Sequence, residues 1–203
     1  MDRLVVPFGK PRGERADAVR NREHLLRTAR EMLAEHGADR VTMDGLAERA
    51  GLGKGTVFRR FGSRAGIFRA LIDADDRRFQ QQVLSGPPPL GPGAEPVDRL
   101  VAYGRARIAF LVEHHAIARA ALDRTQPVPA GTQSMTQLHI RMLLVQAGSV
   151  PNLDGVAVQI TAALEGPLLL YLSRPEPDTA VAAAAFTDFL GDAWQTLVER
   201  LLR

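Results

Sequence analysis

Apolar residues recur at helical spacing along most of this 203-residue chain. The first clear segment runs from about Asp17 to His36, where Leu25, Ala29, Met32 and Leu33 form one stripe and Gly37 follows as a stop signal. Further helices are predicted near residues 63–84, 95–114, 116–124, 134–148, 154–173 and 178–202. Because no segment shows convincing strand alternation, the pattern predicts an all-α fold.

The stretch between Thr42 and Phe61 differs from the rest, because it fits two short helices around a tight turn. The first helix carries Leu46, Ala47 and Ala50 behind the cap residue Thr42, and the second carries Val57 and Phe61 inward. Gly51 stands between them, where a chain reversal needs a positive φ. The spacing therefore predicts a helix-turn-helix.

The outer face of the second short helix is basic. Its exposed positions include Lys54, Thr56, Arg59 and Arg60, and no acidic residue lies between Gly51 and Arg64. Such a surface suits phosphates and base edges. Taken alone, the segment would equally fit a basic solvated face.

In its wider context, this region resembles the DNA-binding domain of the tetracycline-repressor (TetR) family of bacterial transcription regulators. The resemblance covers roughly residues 17–75. It is carried by the segment HLLRTAREMLAEHG, followed by Val41-Thr42, Leu46-Ala47, Ala50-Gly51-Leu52, Gly55-Thr56-Val57-Phe58, Phe61 and Ser63-Arg64. The chain departs from the usual family pattern at Gly53, where Ser is common, at Phe58, where Tyr is common, and at Arg64, where Lys is commoner.

The resemblance implies roles for individual residues. Positions matched to phosphate contacts are Thr42, Thr56, Arg59 and Arg64. Positions matched near base edges are Met43, Lys54, Gly55 and Arg60, and Phe58 is expected against a thymine methyl group or a sugar. The family is homodimeric, so double-stranded DNA with a palindromic operator is the expected partner.

Charge divides the chain in a way that suits a DNA-binding head and a separate body. Residues 1–84 contain 17 Lys or Arg against 12 Asp or Glu, whereas residues 85–203 contain 9 against 11. We predict a flexible basic arm at 1–16, a helix-turn-helix domain at 17–75, and a helical ligand-binding and dimerisation domain at 76–203.

Polar and aromatic side chains interrupt the apolar stripes of the predicted body helices. Most of each stripe is expected to be core, but small-molecule sites in helical proteins commonly lie between helices. We therefore predict a pocket for a mainly apolar or amphipathic effector. The candidate residues are Tyr103, Arg107, Phe110, His139, Met142, Gln146 and Glu165.

The last two predicted helices are the most apolar, and one subunit would struggle to cover both. In the TetR family the final helix pair builds a four-helix dimer interface. The candidate residues here are Leu164, Leu168, Phe189, Trp194, Leu197 and Leu201. Burial of these side chains within one subunit is the alternative.

Other classes of function find little support in the sequence. There is no cysteine, and the histidines and serines form no metal or nucleophile pattern, so no enzyme, metal site or cofactor is expected. The longest apolar run is too short to span a bilayer, which predicts a cytoplasmic protein. The leading hypothesis is a ligand-released repressor. The alternatives are a constitutive or architectural DNA-binding protein without a ligand and, least favoured, a helical ligand-binding protein or enzyme.

Overall fold

The computed structural model describes residues 12–121, 135–148, 150–172 and 180–202, with side chains from residue 17 onward except 168–172 and 180. All regular secondary structure in these ranges is helical, which confirms the predicted all-α fold class. The α-helices are α1 (Arg12–His36), α2 (Met43–Arg49), α3 (Lys54–Phe61), α4 (Arg64–Ser85), α5 (Pro96–Glu113), α6 (His115–Ala121), α7 (Met135–Ala147), α8 (Leu153–Leu172) and α9 (Ala180–Leu201).

Two local features were not predicted. Helix α1 begins at Arg12, so residues 12–16 of the expected arm are helical, and the rest of that arm lies outside the described residues. The single Gly13 in this segment costs only about 1 kcal/mol in helix propensity. A 3-10 helix also spans Ala38–Arg40, before α2.

The chain divides into two compact units, Met1–Leu71 and Ile72–Arg203, and the division falls inside α4. The predicted boundary after residue 75 lies in the same helix. In the first unit, α1 packs against α2, and α2 packs against α3. The core of this unit is built from Leu25, Leu26, Ala29, Met32, Val41, Leu46, Ala47, Val57, Ile67, Phe68 and Leu71, all of them buried.

Helix α5 is the centre of the second unit, where it packs against α7, α8 and α9. Trp194 of α9 lies over Gly104 of α5, and its indole Nε1 donates a hydrogen bond to the Leu100 carbonyl oxygen at 3.0 Å. A Cβ atom at Gly104 would lie 2.0 Å from Nε1. The α5–α9 contact therefore requires glycine at this position.

Candidate nucleic-acid interface and effector site

The turn of the helix-turn-helix forms as its sequence predicted. The Thr42 side-chain oxygen accepts a hydrogen bond from the Gly45 backbone amide at 3.0 Å, which caps α2. Gly51 has a φ of 64°, which confirms the predicted chain reversal. Helix α3 begins after Gly53, and Val57 is fully buried while Phe61 is half-buried, so the opposite face of α3 points outward.

The outward face of α3 carries most of the predicted DNA-contacting residues. Lys54, Gly55, Phe58, Arg59 and Arg60 are exposed, and the Phe58 side chain retains 63% of its accessible surface. Thr56 is half-buried, as is Met43 on α2, and Thr42 is exposed. The structure thus brings Lys54, Phe58 and the two arginines together on one surface.

Two of these cations already have partners in the first unit. Lys54 Nζ lies 3.1 Å from the Asp44 carboxylate, and Arg60 donates to the Ala18 carbonyl oxygen at 2.8 Å. Both contacts are exposed to solvent, where an ion pair contributes little. Phosphates or base edges can therefore replace these two contacts at a small cost in free energy. A cavity of about 330 Å³ lined by Ala18, Thr56, Arg59 and Arg60 adjoins this surface.

Arg64 is more firmly engaged than the resemblance implies. Its guanidinium donates to the Val41 carbonyl at 2.9 Å and to the Ala38 carbonyl at 2.6 Å, and it lies 4.9 Å from the centre of the Phe68 ring. These contacts tie the start of α4 to the segment before α2. A phosphate contact by Arg64 would have to share these donors.

Contacts that the sequence did not predict hold α1 against the turn. His24 Nε2 donates to the Ala50 carbonyl at 3.1 Å, while Arg27 donates to the other ring nitrogen. Arg49 pairs with both carboxylate oxygens of Glu35, which lowers the Glu35 pKa through this hydrogen bonding. This exposed pair joins the end of α2 to α1, and α2 in turn packs against α3.

Comparisons with known proteins agree with this geometry. The profile of the bacterial regulatory proteins of the tetR family matches residues 25–71. Over 73 residues the chain is 36% identical to the DNA-binding transcriptional repressor TetR of Mycobacteroides abscessus, covering 36% of each chain. It is 35% identical over 65 residues to the transcriptional repressor AcnR of Corynebacterium efficiens, covering 32% of this chain and 35% of that one.

Over residues 25–71, the chain is therefore similar to regulatory proteins of the tetR family.

The match to these curated relatives spans about a third of their length, 36% and 35%. A crystal structure of a TetR-family regulator from Rhodococcus sp. has 18% sequence identity and a TM-score of 0.54, and the match covers 91% of this chain and all of that one. This likeness concerns the fold alone, and it includes the C-terminal helices. The two named relatives are transcriptional repressors.

The second unit brings four of the predicted effector residues together. Tyr103, Phe110 and His139 are buried, and the Tyr103 and His139 ring centres lie 4.6 Å apart. Arg107 donates to the Asp76 carboxylate at 2.7 Å and lies 5.4 Å from the centre of the Phe110 ring. These side chains form one aromatic and polar cluster inside the unit.

The other predicted effector residues lie elsewhere. Met142 and Gln146 are exposed, because the buried face of α7 follows Thr136, His139, Ile140, Leu143 and Leu144. Successive residues of an α-helix are rotated by about 100°, so Met142 lies outside the buried face to which Leu143 belongs. Glu165 is half-buried and influences the Tyr103 hydroxyl only through its charge.

The predicted dimerisation residues also separate into two groups. Leu164 and Trp194 are buried inside the unit, whereas Phe189, Leu197 and Leu201 retain 68%, 38% and 38% of their accessible surface. The Leu168 side chain lies outside the described side chains. A small cavity of about 120 Å³ lies beside Leu164, Pro167 and Leu197.

The described residues contain no group of three or more His, Asp or Glu placed to hold a metal ion. None of their helices has the length and apolar character needed to cross a lipid bilayer.

Proposed function

We propose that this protein is a homodimeric, sequence-specific transcription regulator that binds an inverted-repeat operator and is released from it by a small ligand. The proposal rests on the outward face of α3, where Lys54, Arg59 and Arg60 surround an exposed Phe58. The opposite side of this helix packs against α2. Arginine and lysine recognise guanine and phosphate, and an exposed aromatic ring suits a thymine methyl group or a sugar.

The dimer proposal rests on the apolar surface of α9. Phe189, Leu197 and Leu201 are exposed on this helix, and Val158 on α8 retains 49% of its surface. Large apolar side chains that are exposed along one helix commonly mark an interface. Two identical heads related by a twofold axis then read two half-sites separated by about one or more turns of DNA, on the order of 34 to 36 Å.

The proposed release mechanism uses α4, the helix that contains the boundary between the two units. A ligand that binds the second unit and tilts α4 would change the separation of the two copies of α3. Coupling of roughly 1 to 3 kcal/mol would lower operator affinity by about 5- to 150-fold, and DNA would weaken ligand binding by the same factor.

Selection of bound duplexes from random DNA tests the first step. We expect enrichment of an inverted repeat and a steep loss of affinity with salt, because phosphate contacts release counterions. Enrichment of a single unrepeated motif would contradict the dimeric arrangement. An absence of any enriched motif would contradict sequence-specific binding and favour a non-specific architectural protein.

The dimer surface is tested by Phe189→Asp, with Met135→Asp as a matched control. Both side chains are exposed, at 68% and 56%, but Met135 lies on α7. A carboxylate buried in an interface without a partner costs several kcal/mol, so Phe189→Asp should sediment as a monomer. If both variants remain folded dimers, the α9 surface is not the interface.

A further inference from the structure

Four buried side-chain polar atoms on α5 and α7 have no hydrogen-bond partner. They are Arg99 Nε, Tyr103 Oη and Arg107 Nε on α5, and His139 Nε2 on α7; Arg107 is engaged through another nitrogen, which donates to Asp76. Arg99 and His139 each retain 8% of their accessible surface, and Tyr103 retains none. Leaving a buried polar group unpaired costs about 1 to 3 kcal/mol, and more for a charged group. The unpaired atoms of Arg99, Tyr103 and His139 therefore indicate a missing partner.

The three side chains are neighbours across the α5–α7 contact. Arg99 and Tyr103 stand four residues apart and so share one face of α5. The Tyr103 and His139 rings are in contact at 4.6 Å between centres. The Arg99 charge also contributes to lowering the pKa of His139.

The protonation states make this cluster a set of donors. Burial, aided by the Arg99 charge, lowers the pKa of His139 to about 4, so its imidazole is neutral at physiological pH. Burial also raises the pKa of Tyr103, which keeps its phenol protonated; the Thr136 side chain opposes this rise in part without completing a hydrogen bond of normal geometry. A guanidinium N–H, a phenolic O–H and an imidazole N–H are then available.

The charged groups near the cluster are Arg99, the Arg107–Asp76 pair and Glu165, which acts on Tyr103 through its charge. The nearby Arg107 is paired with Asp76 at 2.7 Å, whereas Arg99 makes no ion pair within the described residues. A buried cation without a counter-charge is unfavourable, so an anion would be drawn to this position. The missing partner should therefore be negatively charged and rich in acceptors.

Aromatic rings define what the rest of the ligand can be. The Phe79 ring packs against Tyr103 at 5.8 Å and against Phe110 at 5.5 Å between centres. Phe79 and Phe110 also line an open cavity of about 400 Å³, which they share with Asp75, Gln82 and His114.

We propose that the effector is an organic carboxylate whose two oxygens accept hydrogen bonds from Arg99, Tyr103 and His139 while its apolar body packs against Phe79 and Phe110. This inference rests on the ligand-released regulator proposed above and specifies the chemical class of the effector. A carboxylate offers acceptors only, which matches three donors and one uncompensated positive charge.

Binding of paired acids and amides to the full-length protein tests this assignment. Phenylacetate and octanoate are compared with phenylacetamide and octanamide by calorimetry and thermal denaturation. We expect the acids to bind at least about tenfold more tightly than the amides, because a charge-assisted hydrogen bond is stronger than a neutral one. Arg99→Met should weaken the affinity for the acids by at least about tenfold.

Two further variants separate recognition from packing. Arg141→Gln, on α7 but paired at the surface with Asp154, should leave acid affinity unchanged. Tyr103→Phe removes an unpaired buried hydroxyl, so the ligand-free variant should be at least as stable as the wild type while its acid affinity falls severalfold. A residue needed only for packing would show loss of stability instead.

Two results would overturn the inference. The first is equal stabilisation by acids and amides. The second is no binding of either acid together with a more stable Arg99→Met variant, which would identify a buried water as the only occupant. Operator affinity of the ligand-free protein is measured alongside, since its loss would contradict the proposed regulator itself. If the amides but not the acids dissociate the protein from its operator, the proposed regulator is supported and the carboxylate assignment is contradicted.

Discussion

In the first unit the candidate functional side chains lie on the surface, whereas in the second unit they lie in the core. Lys54, Phe58 and Arg59 are exposed on α3, while Arg99 and Tyr103 are buried on α5. A DNA-reading surface must be exposed, and a site that encloses a small molecule must not be. The same substitution should therefore have opposite consequences in the two units.

The largest expected effect is on packing in the second unit. Gly104→Ala would place a Cβ 2.0 Å from Trp194 Nε1 and break its hydrogen bond to Leu100. Overpacking and an unpaired indole N–H should together lower the free energy of unfolding by roughly 4 kcal/mol. Chemical denaturation measures it. A loss below about 1 kcal/mol would show that α9 can move away from α5.

A second stability effect comes from His139 and should appear on acidification. Its pKa is about 4 in the folded protein and about 6.5 when unfolded, so the unfolded chain binds more protons between these values. Stability is therefore complete above about pH 6.5 and falls by up to roughly 3 kcal/mol as the pH drops to 4. His139→Gln should remove most of this loss, whereas His36→Gln, at an exposed histidine of α1, should not.

In the first unit, changes on α3 should alter DNA binding and leave folding intact. Arg60→Ala should reduce operator affinity by roughly 1 to 3 kcal/mol and relax the preference at particular base pairs. Its contact with the Ala18 carbonyl is exposed, so its stability should change little. Arg141→Ala in the second unit removes the same charge as a control. If Arg60→Ala leaves the base-pair preferences unchanged, Arg60 contacts phosphates and not base edges.

The smallest expected effect comes from the same type of substitution, glycine to alanine, at a position with open space around it. A Cβ at Gly55 meets no atom within 4 Å, so Gly55→Ala should stabilise α3 by about 0.5 to 1 kcal/mol. The added methyl group nevertheless projects from the face proposed to approach DNA. We expect operator affinity to fall while thermal stability rises. Equal operator affinity would show that the backbone at Gly55 stays away from the duplex.

The contrast between the units also explains what could be predicted from sequence. In the first unit, cap, turn and recognition helix are consecutive, so Thr42, Gly51 and Val57 could each be assigned from local spacing. The bracing contacts could not be, because His24 and Ala50 are distant in sequence and meet only after folding. The sequence offered one signal for this contact, since His24 stands directly before Leu25, the first residue of the apolar stripe.

In the second unit the site depends on which helices pack together, and no local pattern determines that. Tyr103 and His139 were expected in a pocket and are in contact, but Met142 and Gln146 lie on the exposed side of α7. Arg99 was missed because an arginine near a helix start normally faces solvent. Its burial follows from the packing of α5 against α7, which requires the tertiary structure.

The central claim is that two copies of α3 read two half-sites on one DNA duplex. It is tested most directly by measuring the affinity of the wild-type protein for a selected inverted repeat, and for the same duplex with one half-site scrambled, at fixed salt. We predict that scrambling lowers affinity by about a hundredfold or more, toward the non-specific level. Equal affinity for the two duplexes would contradict the claim.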